Sequence, residues 1–223
     1  ERPPETWDEM LEYAKRLTIP EEGTYGMHLV AGQHAAWDWI TYLWSAGGRA
    51  VEQQEDGTWR AVFNSEAGVD ALDFYLKLIA TKWRDAEGKE QEGFVIREGQ
   101  TYKMWEEGKI GMRLNYLSAE NLGRNLDPAL IGVAPVPKGP TGLRGSELNC
   151  PMMGIFSGAG KSNNANMGDR DPEKVREAAW KYIWFFDSED ARKIRLEKMI
   201  EAGYGKMQNP LYLKRYGYEE YLK

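Results

Sequence analysis

The chain has 223 residues, of which 42% are hydrophobic, 29% charged and 12% aromatic, a composition typical of a folded globular protein rather than a disordered one. A formal net charge of -6 disfavours nucleic acid as a partner, because its phosphates would meet a surface of the same sign. No apolar run has the length of a membrane span, no charged-then-apolar leader opens the chain, and the single cysteine, Cys150, excludes an internal disulfide and a cysteine-based zinc cluster.

Helical and strand patterns alternate along the first part of the chain. Thr6 and Glu9 have the spacing of a capping box and predict a helix that begins there, and "TYGMHLV" predicts a short strand after it. A second helix is predicted from about 35 to 46, ended by Gly47-Gly48, and then "TWRAVF" alternates like a strand. Ser65 is the expected cap of a third helix, whose predicted buried face consists of Val69, Leu72, Leu76 and Ile79.

The later part of the chain contains a predicted loop, a linker and two further capped helices. Residues 85–93 are expected to form a loop, and "QTYKMWEEGK" a short helix that leads into the strand "IGMRLN". "LIGVAPVPKGPTG" predicts a strand that breaks into a Pro/Gly linker, the best candidate for a lobe boundary, and "PMMGIFSGAG" predicts a buried strand with a turn. Asp171 and Ser188 are the expected caps of two helices, the first with a wide apolar face.

The stretch "GQHAAWDWITYLWSAGG" contains more aromatic surface than one short helix needs to dock on a core. On a helical wheel Ala36, Ile40 and Leu43 define the buried side, with Trp39 and Trp44 at its margins. Trp37 stands at the helix start, beside the polar residues Gln33, His34 and Asp38. Flat aromatic faces flanked by such groups hold sugars, since the ring stacks on C–H faces and the polar groups bind hydroxyls. Packing of all the rings is the equally weighted alternative on composition alone.

Two other features are weaker candidates for chemistry. "GIFSGAGKS" imitates a phosphate-binding loop, but the loop needs a glycine at the position of Ile155, so an ordinary turn is the favoured interpretation. Neither His28 nor His34 has a partner at the spacing of a helical metal site, and the paired glutamates at 106–107 and 219–220 have the pattern of solvated helix faces. These patterns predict neither a metal nor a cofactor.

An ordered series of segments resembles one known family over essentially the whole chain. The segments are "PETWDEMLEYAKRLT", "YGMHLV", "YLWSAGG", "GTWRAVFNSEAGVDALDFYLKLI", "YKMWEEGKIGMRLNY", "IGVAPVPKGPTG" and "VREAAWKYIWFFDSEDARKIR". They resemble the family 1 extracellular solute-binding proteins, the maltose-binding-like receptors of ABC importers. The resemblance implies an α/β fold of the periplasmic-binding-protein type II, with two lobes joined by crossover linkers and a cleft that closes on a ligand.

The resemblance also implies a partial chain and a division of its residues between lobes. The N-terminal part of the first lobe and the C-terminal end are expected to be missing, so that binding by this chain alone would be weak. Residues 1–135 are expected to form most of the second lobe, 136–208 the returning part of the first, and 209–223 the start of the crossover back. The segment from Gly160 to Asp171 looks longer than the corresponding loop of typical members.

The family's ligand contacts transfer to this sequence position by position. The cleft aromatic at the helix start corresponds to Trp37. Contacts after the "GKIGM" strand correspond to Asn115, Tyr116 and Ser118, where "NYLS" lacks the tryptophan that the family often has there. Further expected contacts lie in two other segments and are Gly145, Ser146, Glu147, Asn149 and Tyr204.

The resemblance implies an extracytoplasmic receptor that captures a carbohydrate, an oligosaccharide, and presents it to the permease subunits of an ABC importer without bond chemistry. Contact with the membrane would be only through a possible lipid anchor outside this chain. A glycoside-active enzyme with two catalytic carboxylates and a stand-alone carbohydrate-binding or adhesion module are the alternatives.

Overall fold

The computed structural model describes residues 2–97, 99, 101–116, 122, 126–147, 152–159 and 170–222, and the side chain of Gln33 lies outside this description. The chain divides into two compact units, Glu1–Leu148 and Asn149–Lys223. In the first unit the helices and strands, in chain order, are α1 (Trp7–Arg16), β1 (Tyr25–His28), α2 (Ala35–Ser45), β2 (Val51–Gln53), β3 (Trp59–Ala61), α3 (Glu66–Ala80), β4 (Lys82–Arg84), β5 (Glu90–Glu92), β6 (Val95–Ile96), α4 (Thr101–Glu106) and β7 (Ile110–Arg113).

A small parallel sheet lies at the centre of the first unit. Its strand order is β6-β1-β7, with Met27 opposite Val95 on one side and opposite Met112 on the other. Helix α1 packs closely against β1, where a side chain at Gly26 would collide with the backbone of Ala14. The remaining strands pair as two antiparallel hairpins, β2 with β3 and β4 with β5.

The hydrophobic core of this unit is built around aromatic side chains of the first three helices. Trp7 of α1 stacks on Phe74 of α3 with ring centroids 4.6 Å apart, and Tyr42 of α2 contacts both rings edge-on. Such aromatic pairs contribute about 0.5–1.5 kcal/mol each beyond the area that they bury. The capping predictions are confirmed here, since Thr6 and Ser65 accept hydrogen bonds from the N–H groups of Glu9 and Gly68.

The predicted faces of α2 and α3 are confirmed only in part, since Leu43 is buried and Ile40 and Ile79 pack against the core, and the other positions differ. In α2, Ala36 is exposed and Ile40 half-buried, whereas Asp38, Thr41 and Tyr42 are buried. In α3, Val69, Leu72 and Leu76 are exposed and the neighbouring stripe Ala71, Phe74, Tyr75 and Leu78 is buried. Both helices carry apolar residues around much of their circumference, so the mutual packing of Trp7, Tyr42 and Phe74 selects the stripes that are covered.

Three loop and strand predictions also differ from the structure. The predicted loop at 85–93 belongs to the hairpin β4–β5, whose turn is fixed by Asp85 accepting from the N–H groups of Glu87 and Lys89. Residues 131–137 form no strand, because Pro135 and Pro137 lack the N–H that a ladder requires. Among residues 152–156 no strand is present either, and Met152 is 94% exposed instead of buried.

The first unit extends beyond the expected lobe boundary at Pro135. Lys138 exchanges backbone hydrogen bonds with the segment around Thr6, and the hydroxyl of Thr141 donates to the carbonyl of Ser45. Residues 136–147 therefore pack with the residues before them rather than with the second unit, which begins at Asn149. The assignment of these units to the lobes of the family stays a prediction.

The second unit is helical in its described part. Its helices are α5 (Pro172–Phe186), α6 (Glu189–Glu201) and α7 (Pro210–Tyr216). The predicted caps Asp171 and Ser188 are confirmed, since both accept backbone N–H bonds. Its buried hydrophobic side chains among the described residues are Ala191, Leu196, Tyr204 and Leu213.

Candidate functional site

A cleft of about 1220 Å³ opens in the first unit beyond the carboxyl ends of β1 and β7. Ligands of open α/β sheets bind at this edge, where loops leave the ends of parallel strands. Its walls come from α1, the first turns of α2, Trp105 of α4, and the segments 113–116, 130–137 and 146–147. The volume exceeds the range of about 300–1,000 Å³ that is usual for small-molecule pockets, so the cleft has room for a solute of more than one ring.

Trp37 lies on the cleft with its side chain 48% exposed. It stands in the first turn of α2, which begins directly after the 3₁₀ turn Gly32–His34. Trp39 on the same helix has a packing role instead, since its ring meets Phe63 edge-on at 6.0 Å and packs against the core. The packing explanation therefore accounts for Trp39 and leaves the exposed face of Trp37 available to a ligand.

Asp38 is the buried acid of the cleft. Its carboxylate accepts a 2.8 Å hydrogen bond from the backbone N–H of Val30, which fixes the start of α2 to the segment after β1. Burial raises the pKa of Asp38 to about 6, and the hydrogen bond from Val30 only partly opposes that shift. This carboxyl group is therefore poised to change charge within one pH unit of neutrality.

A hydrogen-bonded pair joins the two segments that form the far wall. The phenol of Tyr116 donates a 2.6 Å hydrogen bond to a carboxylate oxygen of Glu147, 31 residues later in the chain. Asn115 accepts from the backbone N–H of Tyr116 at 2.8 Å. All three residues line the cleft, so the structure brings together contacts that the family resemblance had placed on separate segments.

Of the other predicted contacts, some line the cleft and others lie outside it or outside the described residues. His34 lines the cleft, as does Ser146. Gln33 belongs to the turn before α2, but its side chain is outside the described part, and Ser118 and Asn149 lie outside the described residues altogether. Tyr204 is in the second unit, where it is 5% exposed. Its contact with a ligand stays a prediction, as does that of every residue named above.

Arg113 and Trp105 also line the cleft, although no motif in the sequence indicated either residue. The guanidinium of Arg113 lies 4.3 Å from the centre of the Trp105 ring, and the indole N–H of Trp105 donates to the carbonyl of Leu122 at 2.9 Å. Burial lowers the pKa of Arg113. The overlooked signal was a positive charge at the end of an otherwise apolar strand.

Within the described residues, no three His, Cys, Asp or Glu side chains are grouped so that they could hold a metal ion. No described helix combines the length and the apolar character that a membrane crossing requires.

Comparison with known proteins identifies the family. The sequence pattern of the family described as bacterial extracellular solute-binding protein matches residues 1–193. The chain therefore belongs to this family of binding proteins. The expected resemblance is confirmed over the first and larger part of the chain.

Among curated relatives, binding proteins of Brucella abortus and Brucella suis are each 27% identical to it over 195 residues. That alignment covers 85% of this chain and 41% of the relative in each case. The chain thus spans well under half the length of the curated relatives that it matches.

Two solved structures share the fold. The solute-binding protein of an ABC transporter from Agrobacterium radiobacter K84, in complex with ribitol, has a TM-score of 0.56 at 21% identity over 99% of this chain and 52% of that one. Maltose-bound MalE3 of T. maritima also has a TM-score of 0.56, at 24% identity over 96% of this chain and 51% of that one. The expected fold class, the two-lobed α/β fold of the periplasmic binding proteins, is confirmed, and the chain spans about half of each structure.

Proposed function

We propose that the protein captures a carbohydrate in the cleft of the first unit and delivers it to an ABC importer outside the cytoplasm. The observation that carries this proposal is the half-exposed ring of Trp37 on the wall of a large cleft that also contains polar side chains. Aromatic rings stack on the apolar faces of sugars while neighbouring polar groups bind the hydroxyls. An oligosaccharide matches the size of the cleft better than a single ring does.

The polar groups on the walls are arranged for hydroxyl recognition. Asp38 stands next to Trp37 in sequence and contributes to the same wall, and the Tyr116–Glu147 pair lines the cleft as well. Within the described residues, the phenol of Tyr116 occupies one lone pair of the Glu147 carboxylate, and the same carboxylate can accept further hydrogen bonds from sugar hydroxyls. Asn115 supplies amide donors in the same segment.

Family membership and the two structural neighbours support this assignment over the enzyme and adhesion alternatives. The neighbours are ABC solute-binding proteins whose structures contain ribitol and maltose. A receptor of this kind works through its ligand-dependent conformational equilibrium, so its polar groups bind the solute and leave its bonds intact.

The test is incubation of the intact protein with ribitol, maltose and a panel of longer oligosaccharides. We expect a rise in melting temperature with at least one sugar, since a ligand at 100 times its Kd adds about 2.7 kcal/mol to the folded state. Chromatography of the same samples should recover the sugar unchanged. Released product would support the glycoside-active alternative instead, and no thermal shift with any sugar would overturn the proposal.

A further inference from the structure

Arg113 is the last residue of β7 and one of three arginines on the cleft wall, the others being Arg2, which pairs with Glu9, and Arg16. Its guanidinium carbon lies 4.3 Å from the ring centre of Trp105 and 5.8 Å from that of Tyr102. Trp105 is itself held by the hydrogen bond from its indole N–H to Leu122. A guanidinium above an aromatic ring is held by the cation–π attraction, and its N–H groups remain able to donate to an acceptor beside the ring.

One nitrogen of this guanidinium has no hydrogen-bond partner in the described part of the protein. Nη2 of Arg113 is buried and has no hydrogen-bond partner among the described residues, and none of the ion pairs between described side chains includes Arg113. A desolvated donor without an acceptor is costly, and more so when it carries charge. A ligand with a matching anionic acceptor would recover that cost.

The neighbourhood of Arg113 favours one negative charge. His28 lies opposite Arg113 in the sheet, and burial together with the charge of Arg113 lowers the pKa of this imidazole, so it adds no second positive charge at neutral pH. Burial lowers the pKa of Arg113, and the electrostatic effects of Tyr102 and Glu106 act in the opposite direction and raise it. The walls of the same cleft carry the acids Asp38 and Glu147 and the cations Arg2 and Arg16, of which Arg2 is neutralised by Glu9. The two oxygens of a single carboxylate match the two N–H groups of one guanidinium fork in geometry and in charge.

We propose that the solute is an acidic sugar, a uronate, whose carboxylate binds the in-plane edge of Arg113 while its ring stacks on Trp37. This inference rests on the proposed function and narrows its ligand class from sugars in general to sugars that carry a carboxylate. The carboxylate supplies an acceptor that the half-buried guanidinium lacks, and the hydroxyls bind the acidic and amide side chains of the cleft walls.

The experiment compares uronates with their neutral counterparts by calorimetry on the intact protein at low salt. The pairs are D-glucuronate with D-glucose, D-galacturonate with D-galactose, and digalacturonate with galactobiose, and D-glucose 6-phosphate tests the dianion. We expect at least one uronate to bind at least tenfold more tightly than its neutral partner. Arg113→Met should remove at least nine-tenths of that preference, and Arg113→Lys, which keeps the charge but loses the fork, should retain part of it.

Arg60→Met is the matched control, because this substitution also removes one positive charge. Arg60 is exposed on β3 and is not part of the cleft wall. The binding of this variant should equal that of the unsubstituted protein. Circular dichroism of each variant verifies folding, and Arg113→Lys keeps the test decisive if Arg113→Met unfolds. Neutral sugars that bind as tightly as the uronates, a preference that survives in both Arg113 variants, or tighter binding of the phosphate would overturn the inference and leave the proposed function intact. Binding of no sugar at all would overturn both.

Discussion

The carboxylate of Asp38 accepts the backbone N–H of Val30 at 2.8 Å, and the phenol of Tyr75 donates to the carbonyl of the same Val30 at 3.2 Å. Val30 is thus held through both of its backbone groups, one by α2 and one by α3. This arrangement ties the segment after β1 to the two helices that build the core. It also places Asp38 where burial raises its pKa and the hydrogen bond from the N–H of Val30 lowers it.

Stability should depend on pH through Asp38. Its pKa in the folded protein is raised to about 6 from an ordinary value of 3.8, so the folded state binds the proton more tightly than the unfolded state does. The contribution of Asp38 is therefore most favourable below about pH 4 and is lost as the pH rises to about 6. The loss should be on the order of 2 kcal/mol. Asp38→Asn keeps an acceptor for Val30 and removes the titration.

Urea unfolding at pH 4 and pH 7 measures this effect. The free energy of unfolding of the original protein should fall relative to that of Asp38→Asn between these two values. A constant difference between the two proteins would show that Asp38 titrates as it does in an unfolded chain.

Trp37→Ala should weaken sugar binding by about 1–3 kcal/mol with a small cost in stability, because its ring is half-exposed on the cleft. Trp44→Ala is the matched control on the same helix, since Trp44 is less exposed and is not part of the cleft wall. It should cost more stability than Trp37→Ala, up to the value of about 3–5 kcal/mol for a core tryptophan, and leave binding nearly unchanged. Calorimetry and urea unfolding measure the two quantities. Equal stability losses with unchanged binding in both variants would show that Trp37 packs against the protein and does not contact the sugar.

Gly145 should be intolerant of a side chain. A Cβ at this position would collide with the backbone carbonyl of Thr41 and approach the N–H nitrogen of Ser45 at 2.8 Å, so the segment before Glu147 would have to move away from α2. Gly145→Ala should cost about 1–3 kcal/mol of stability and weaken sugar binding. Gly132→Ala is the control, because Gly132 lines the cleft and no atom lies within 4 Å of a Cβ built there, whereas Gly145 stands next to the lining residue Ser146. Similar behaviour of the two variants in unfolding and titration experiments would contradict the close packing of Gly145 on α2.

Local signals in the sequence predicted where the helices begin, and were less successful in predicting which helix faces are buried. Thr6, Ser65, Asp171 and Ser188 each cap a helix as expected, because a capping residue acts on N–H groups two or three positions away. The buried faces of α2 and α3 depend on partners far away in sequence. Helix α3 has two apolar stripes, and contacts of Trp7 and Tyr42 with Phe74 select the stripe that is buried.

The site was predictable only in part for the same reason. Trp37 and Asp38 stood out by residue type within one short segment. The contact of Tyr116 with Glu147 spans 31 residues, and the sequence analysis placed both near a ligand only through the family resemblance. Arg113 could not be predicted as a site residue, because its orientation depends on contact with Trp105, which lies on a different element.

The last prediction concerns the aromatic surface of α5. No residue of this helix is buried, and Trp180 and Trp184, one turn apart, are 57% and 71% exposed. Tyr182 and Phe185 are also more than half exposed. Contiguous apolar surface of this kind promotes association or binds hydrophobic dyes. The 223-residue chain on its own should therefore either bind such a dye or self-associate as its concentration rises.

Light scattering at several concentrations and dye fluorescence measure the two outcomes. The double variant Trp180→Lys with Trp184→Lys should reduce both signals, because it places charges on adjacent turns of one helix face. Trp59→Lys is the control, since Trp59 is 65% exposed on the β2–β3 hairpin of the first unit and lies outside this surface. A chain that remains monomeric at every concentration and binds no dye would contradict the prediction, and an equal effect of Trp59→Lys would show that the signal does not come from α5.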